Sequence, residues 1–117
     1  MTEIAIDELA GRLGDVAILD VRSADEYNGT LGQPCDPRQG HIPGARHVDI
    51  YQLMHLDPNQ IEAAVGIEPG GELVAYCHSG ARSAIATQLL RALGYDARNY
   101  VGSWHEWSRH DDLPVES

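Results

Sequence analysis

The sequence predicts an α/β fold in which a parallel sheet carries helices on its faces. Two short, mostly apolar runs, VAILDV (16–21) and ELVAYC (72–77), end in polar or glycine-rich turns, which is the pattern of buried parallel strands. Helical patterns alternate with these runs, and ARNYV (97–101) follows as a further strand. Because parallel strands need crossover connections, this alternation favours a parallel sheet over an antiparallel one.

Capping residues mark the first two predicted helices. The segment IDELAGRLG (6–14) has Asp7 as a candidate N-cap and Gly14 as a stop signal. The segment SADEY (23–27) follows the first strand and begins with Ser23 and an acidic first turn. Both segments therefore predict short helices that flank the first strand.

The strongest helical pattern is SAIATQLLRALG (83–94), directly after the second strand. Gly94 lies where the end of a helix favours a positive φ angle. The apolar residues expected on its buried face are Ile85, Ala86, Leu89, Leu90 and Leu93.

Length and charge limit the classes of protein that this chain can represent. Its 117 residues are predicted to form one domain, 1–117, with a flexible tail at about 109–117. The absence of a long apolar run and the acidic N-terminal segment predict a cytoplasmic protein without a membrane partner. A formal net charge of -10 argues against a nucleic-acid partner, which would favour a basic face.

The segment AYCHSGARSA (75–84) carries the candidate chemistry. Cys77 ends a predicted buried strand just before the strongest helix, and open α/β sheets bind ligands at this position. Gly80 lets the backbone curl, so the peptide N–H groups of residues 78–82 can point at one centre and stabilise a thiolate. The permanent charge of Arg82 can hold an oxyanion. The alternative is a packed strand cysteine followed by a simple turn, but the polar loop and Arg82 favour a nucleophile.

Four motifs in order resemble the rhodanese-like domain family. They are LDVRSADEY (19–27), GHIPGARHV (40–48), the cysteine and arginine separated by four residues, and YVGSWHEW (100–107). The long loop GTLGQPCDPRQGHIPGA (29–45) and the C-terminal motif are most similar to the C-terminal, catalytic half of two-domain thiosulfate and 3-mercaptopyruvate sulfurtransferases. The resemblance implies about five strands in a mainly parallel sheet with helices on both faces.

The resemblance also implies a function. Cys77 would take a sulfur atom from a donor such as thiosulfate, hold it as a persulfide and pass it to cyanide, a small thiol or a protein thiol. The active-site loop would comprise His78, Ser79, Gly80, Ala81 and Arg82. Asp20 and Arg22 would support this loop, and the family needs no metal or organic cofactor.

Two alternatives accompany this interpretation. Rhodanese-like phosphatases and arsenate reductases carry five residues between cysteine and arginine, whereas this loop has four, which favours transfer of a single sulfur atom. The other alternative is a non-enzymatic module that binds a partner or carries sulfur delivered by a protein. The loop His78-Ser79-Gly80 matches neither sulfurtransferase subgroup fully, and Glu26 stands where the two-domain enzymes have a substrate-binding arginine.

Residue type and spacing also give expectations for Cys35, for the histidines and for the two tryptophans. Cys35 lies in the long loop and is expected to be a surface thiol rather than a partner of Cys77. The six histidines show no helical spacing typical of a metal site, so no metal ligands are predicted. Trp104 and Trp107 are expected to pack over the sheet.

Overall fold

The sheet of the computed structural model is parallel throughout the described residues, 2–32 and 34–117. Its strands are β1 (Ala17–Asp20), β2 (Arg46–His47), β3 (Glu72–Tyr76) and β4 (Asp96–Asn99), in the order β2-β1-β3-β4. The predicted α/β class is confirmed, although the described residues form four strands rather than about five. Beside β4, the N-terminal segment makes only an isolated parallel bridge between Glu3 and Asn99, which is too short to count as a strand.

Six helices connect and flank the strands in the described ranges. They are α1 (Ile6–Ala10), α2 (Ala24–Asn28), α3 (Ile50–Leu53), α4 (Pro58–Val65), α5 (Ala81–Ala92) and α6 (Ser103–Trp107). None of the helices within these ranges combines the length and apolar character needed to cross a bilayer.

Each face of the sheet packs against its own group of helices, as expected for helices on both faces. Alternate residues of β3 point to opposite sides, so Leu73 and Ala75 join one apolar cluster while Val74 and Tyr76 join the other. Buried residues of α3, α4 and α5 complete the first cluster, and those of α1 and α6 complete the second. The central strands β1 and β3 are therefore enclosed on both sides, and their carboxyl ends open at one edge.

The capping prediction is confirmed for α2 and wrong for α1. Ser23 accepts a hydrogen bond from the backbone N–H of Glu26, whose side chain binds back to the N-cap residue in a capping box. In α1 the N-cap is Ala5, and Asp7 lies inside the first turn, where a carboxylate still interacts favourably with the helix dipole. This helix ends at Ala10, before Gly14.

Helix α5 begins two residues earlier than the apolar pattern predicts, and its buried face is different. The residues buried along it are Ser83, Ala86, Thr87 and Leu90, whose spacing follows one helical stripe. Leu89 and Leu93 are partly buried against the same cluster, but Ile85 is exposed, so its predicted burial is wrong. Ser83 and Thr87 are tolerated in the core because their hydroxyl groups are hydrogen-bonded inside the protein.

The long loop 29–45 and the C-terminal segment contact each other along the described residues. Arg38 donates to four backbone carbonyl oxygens at and beyond the end of α6, those of Trp107, Ser108, His110 and Leu113. The backbone of His41 exchanges two hydrogen bonds with Glu116. Trp104 and Trp107 are fully buried in the second cluster, which confirms their predicted packing. Flexibility of the tail 109–117 stays a prediction.

Candidate active site

Cys77 lies at the carboxyl edge of the sheet, between the end of β3 and the start of α5. The residue is only 1% exposed. Its backbone is fixed from α6, because Cys77 N–H donates to the Ser103 hydroxyl at 3.0 Å and Cys77 C=O accepts from Trp104 N–H at 2.9 Å. The sulfur is thus held at the point where two helices meet the sheet.

Several donors converge on the sulfur of Cys77. The backbone N–H of Gly80 lies 3.1 Å from Sγ, and the N–H and hydroxyl of Ser83 each lie 3.4 Å away. The hydroxyl of Ser103 approaches to 4.0 Å. The single hydrogen of the Ser103 hydroxyl is donated to the carbonyl oxygen of Tyr100 at 2.8 Å. The groups that can stabilise a negative charge on the sulfur are therefore the N–H of Gly80 and the N–H and hydroxyl of Ser83.

Two opposing effects act on the pKa of Cys77, and the hydrogen bonds outweigh burial. Burial raises the pKa because it disfavours the charged thiolate. Hydrogen bonds from the Ser83 hydroxyl and from the N–H groups of Ser83, Ser79 and Gly80 lower it, and the net shift is downward. Cys77 therefore has the increased thiolate character that a nucleophilic cysteine requires.

Gly80 permits the tight curl of the loop. Its φ angle is +95°, in the left-handed region, and a Cβ atom there would lie 2.7 Å from the carbonyl oxygen of Val101. The carbonyl oxygen of Gly80 accepts a hydrogen bond from the side-chain amide of Asn99 at 3.2 Å. Only glycine fits this close approach while its N–H still points at the sulfur of Cys77.

Arg82 is paired with Glu26 rather than free. Its Nη1 lies 3.0 Å from Glu26 Oε1, and its Nη2 lies 3.4 Å from Oε2. Burial favours the neutral form of Glu26, but the hydrogen bond from Arg82, the hydrogen bond from the Ser23 backbone and the nearby guanidinium charges together outweigh it and lower the pKa of that carboxyl group. The site therefore contains a carboxylate that competes with an anionic substrate for the guanidinium of Arg82.

The remaining predicted loop residues differ in their surroundings. Ser79 and Ala81 are exposed, and Ala81 is the first residue of α5. His78 is partly buried and places its Nε2 atom 3.0 Å from Oδ2 of Asp36 in the long loop. Within this loop the N–H groups of Ser79 and Gly80 thus face the sulfur, while the side chain of His78 faces the 29–45 loop.

Asp20 and Arg22 form a buried ion pair at the end of β1. The Nη2 atom of Arg22 donates to Asp20 Oδ2 at 2.7 Å and to the carbonyl oxygen of Gly40 at 2.6 Å. The guanidinium also lies over the rings of Tyr76 and Trp104, at 5.6 and 5.0 Å from their centroids. The pair contacts the long loop and α6 rather than the sulfur, and its role in supporting the loop stays a prediction.

Two residues that contact Cys77 were missed by the sequence analysis. Ser83 lies six positions after the cysteine, and Ser103 comes from the distant segment after β4. A signal for Ser83 existed, because a serine on the same helical stripe as Ala86 and Leu90 is a polar residue facing the core. Ser103 has a φ angle of 54°, a backbone feature that only the structure could show.

Known proteins and a family model match this chain in sequence. The Rhodanese-like domain model matches residues 5–110. A thiosulfate sulfurtransferase of Azotobacter vinelandii is 38% identical over 94% of this chain and 44% of its own length, and one of Pseudomonas aeruginosa is 34% identical over 92% and 43%. The chain therefore spans less than half the length of these curated relatives.

Solved structures show the same fold. A probable thiosulfate sulfurtransferase superposes with a TM-score of 0.85 at 42% identity, covering 99% of this chain and 48% of the other. A variant of EanB, described as a cysteine persulfide in a tetrahedral intermediate state with ergothioneine, has a TM-score of 0.87 at 30% identity, covering 98% and 28%. From its motifs, its fold and these matches, the chain belongs to the rhodanese-like domain family.

Proposed function

We propose that this protein is a sulfurtransferase that moves a sulfane sulfur through a persulfide on Cys77. The observation that carries the proposal is the convergence of the Gly80 N–H and the N–H and hydroxyl of Ser83 on the Cys77 sulfur. Such a site favours a negatively charged sulfur before and after transfer, which is what both half-reactions need.

In the first half-reaction the thiolate of Cys77 attacks the outer sulfur of thiosulfate. The new S–S bond forms on Cys77 as the S–S bond of thiosulfate breaks, and sulfite leaves with the electron pair. The product is a persulfide anion whose terminal sulfur carries the charge. In this mechanism the loop N–H groups that hydrogen-bond the thiolate also stabilise the charge on the terminal sulfur.

In the second half-reaction a thiophilic acceptor removes the terminal sulfur. Cyanide attacks that atom, the S–S bond breaks, and thiocyanate leaves while Cys77 regains its thiolate. A thiol or protein thiol acts as acceptor in the same way, giving a persulfide of its own. Neither step requires a metal or an organic cofactor to balance atoms or charge.

Three observations support sulfur transfer over phosphoryl or arsenate chemistry. Four residues separate Cys77 from Arg82, which leaves a tight loop around one atom. The curated relatives are named thiosulfate sulfurtransferases, and a structural relative is described with a cysteine persulfide. Arg82 is also neutralised by Glu26, so it is poorly prepared to bind a phosphate dianion.

The same ion pair favours a donor of low negative charge. A thiosulfate dianion must compete with Glu26 for Arg82, whereas a persulfide on a small thiol or on a protein presents less charge to the site. A sulfur carrier fed by a protein donor is therefore the second candidate, and it uses the same Cys77 chemistry.

Formation of thiocyanate from thiosulfate and cyanide tests the proposed activity. The wild-type chain should form thiocyanate, and Cys77→Ser should reduce the rate to the uncatalysed background because a hydroxyl is a far weaker nucleophile than a thiolate. Circular dichroism would verify that the variant is folded. Equal rates of thiocyanate formation by the wild type and Cys77→Ser would contradict the proposal. So would a wild-type chain that hydrolyses p-nitrophenyl phosphate faster than it forms thiocyanate.

The pH dependence of alkylation tests the state of the sulfur. The thiolate exists above the pKa, so the rate of alkylation of Cys77 by iodoacetamide should rise with pH and then level off, and the midpoint of this rise should lie below that of an ordinary cysteine because the hydrogen bonds lower the pKa of Cys77. Ser83→Ala removes a hydroxyl donor and should move the midpoint upward.

Ser79→Ala provides the matched control for this titration, because Ser79 acts through its backbone N–H, which alanine retains. A Cys35→Ser background restricts the signal to Cys77. An unchanged midpoint in Ser83→Ala, or an equal upward shift in Ser79→Ala, would show that side-chain hydrogen bonding does not stabilise the thiolate.

Release of Arg82 from Glu26 should improve the use of thiosulfate. Glu26→Gln retains the capping-box geometry of α2 but removes the competing charge, so KM for thiosulfate should fall about fivefold, equivalent to about 1 kcal/mol. Steady-state kinetics would measure the change. Asp25→Asn, an equal change of charge at an exposed neighbouring position, is the control, and an equal fall in KM there would assign the effect to net charge.

A further inference from the structure

Four side chains with metal-ligating atoms meet beside the active-site loop. They are Cys35 and Asp36 of the long loop, His78 directly after Cys77, and His105 of α6. One ligand atom from each lies within 4.8 Å of all the others. The residues come from three segments that are far apart in sequence, so the histidine spacing that predicted no metal ligands could not reveal their proximity.

The separations within this cluster suit donor atoms around one cation. His78 Nε2 lies 3.0 Å from Asp36 Oδ2, His105 Nδ1 lies 3.4 Å from Asp36 Oδ1, and Cys35 Sγ lies 3.8 Å from the same oxygen. Bond lengths to zinc place tetrahedral donors about 3.3 to 3.6 Å apart. The separations of up to 4.8 Å elsewhere in the cluster must close to this range for the side chains to coordinate a common ion.

The polar atoms at the centre of the cluster lack hydrogen-bond partners among the described residues. The side chain of Asp36 is 1% exposed, yet its Oδ2 accepts no hydrogen bond there, and His78 Nε2 has none either. The two atoms face each other at 3.0 Å without forming one. A buried carboxylate oxygen left in this way is destabilising, and a bound cation would compensate it.

Arg109 orients three of the four residues from outside the cluster. Its Nη1 donates to Asp36 Oδ1 at 3.1 Å and to the carbonyl oxygen of His105 at 2.7 Å, while its Nη2 donates to the carbonyl oxygen of Cys35. Outer contacts of this kind fix the direction of metal ligands. The guanidinium donates to Oδ1 of Asp36, whereas Oδ2 accepts no hydrogen bond among the described residues.

We propose that Cys35, Asp36, His78 and His105 bind one divalent cation of the zinc class. One thiolate, two imidazoles and one carboxylate form a donor set for Zn²⁺ rather than for Mg²⁺ or Ca²⁺, which prefer oxygen ligands. Coordination requires Cys35 to release its proton to solvent, after which thiolate and carboxylate balance the charge of the ion.

Occupation of this site would connect the active-site loop to two other segments. His78 directly follows Cys77 in the sequence, whereas the other three proposed ligands lie in the long loop and in α6. A cation would join these three segments by bonds stronger than their present contacts and restrict the loop that surrounds the Cys77 sulfur.

Titration of the reduced, chelator-treated chain with Co²⁺, followed by absorption spectroscopy, tests the site. One equivalent should give the intense visible bands of tetrahedral Co²⁺ together with a thiolate charge-transfer band, and Zn²⁺ should displace it. Absence of binding would overturn the proposal and leave only the direct contact between Asp36 and His78. Weak octahedral bands without the thiolate band would overturn it as well.

Variants separate this site from the catalytic sulfur. Cys35→Ser should abolish the charge-transfer band. His105→Gln should weaken Co²⁺ binding at least about tenfold, because even the loss of a residue that only hydrogen-bonds a metal ligand lowers metal affinity by that factor. His55→Gln, an exposed histidine outside the cluster, should leave the affinity unchanged, and Cys77→Ser should retain the band. Loss of the band in Cys77→Ser, or equal weakening in His55→Gln, would refute the assignment. Circular dichroism controls for folding of each variant.

Discussion

The buried charge of Arg22 is the interaction at which β1, the long loop and α6 meet. Its side chain is 1% exposed, so the protein must supply its polar partners, the carboxylate of Asp20 and the carbonyl oxygen of Gly40. Leaving such a charge unpaired would cost about 3 to 5 kcal/mol. This requirement holds the 29–45 loop at the end of β1, and the guanidinium face packs on Trp104. Helix α6, which carries Trp104, also carries Ser103, whose hydroxyl accepts a hydrogen bond from the backbone N–H of Cys77.

The polar residues beside the Cys77 sulfur occupy buried positions at which packing alone would favour apolar residues. Ser83 lies on the buried stripe of α5, and its hydroxyl faces Cys77 rather than filling the core. Thr87 donates back to the carbonyl oxygen of Ser83 and completes the polar contacts of that stripe. Because buried hydroxyls are tolerated only when they are hydrogen-bonded, these residues indicate that the protein gives up apolar packing to stabilise charge on sulfur.

Local patterns were sufficient to predict β1, β3, β4, the α2 cap and the position of Cys77, but they missed the two-residue strand β2. They failed where tertiary contacts decide: Ile85 was predicted to be buried because it is apolar, but the stripe that packs on the sheet passes through Ser83. The pairing of Glu26 with Arg82 joins residues 56 positions apart, and no local spacing reports it. No local spacing reports the cluster around Asp36 either, because its members come from three segments.

Intact mass spectrometry of the chain after incubation with thiosulfate tests the central claim most directly. The account predicts a gain of about 32 Da, one sulfur atom, that is lost on addition of cyanide. Peptide mapping should locate the sulfur on Cys77 rather than Cys35, and Cys77→Ser should show no gain. A chain that gains no sulfur from thiosulfate or from a small-thiol persulfide, or that carries it on Cys35, would contradict the persulfide cycle.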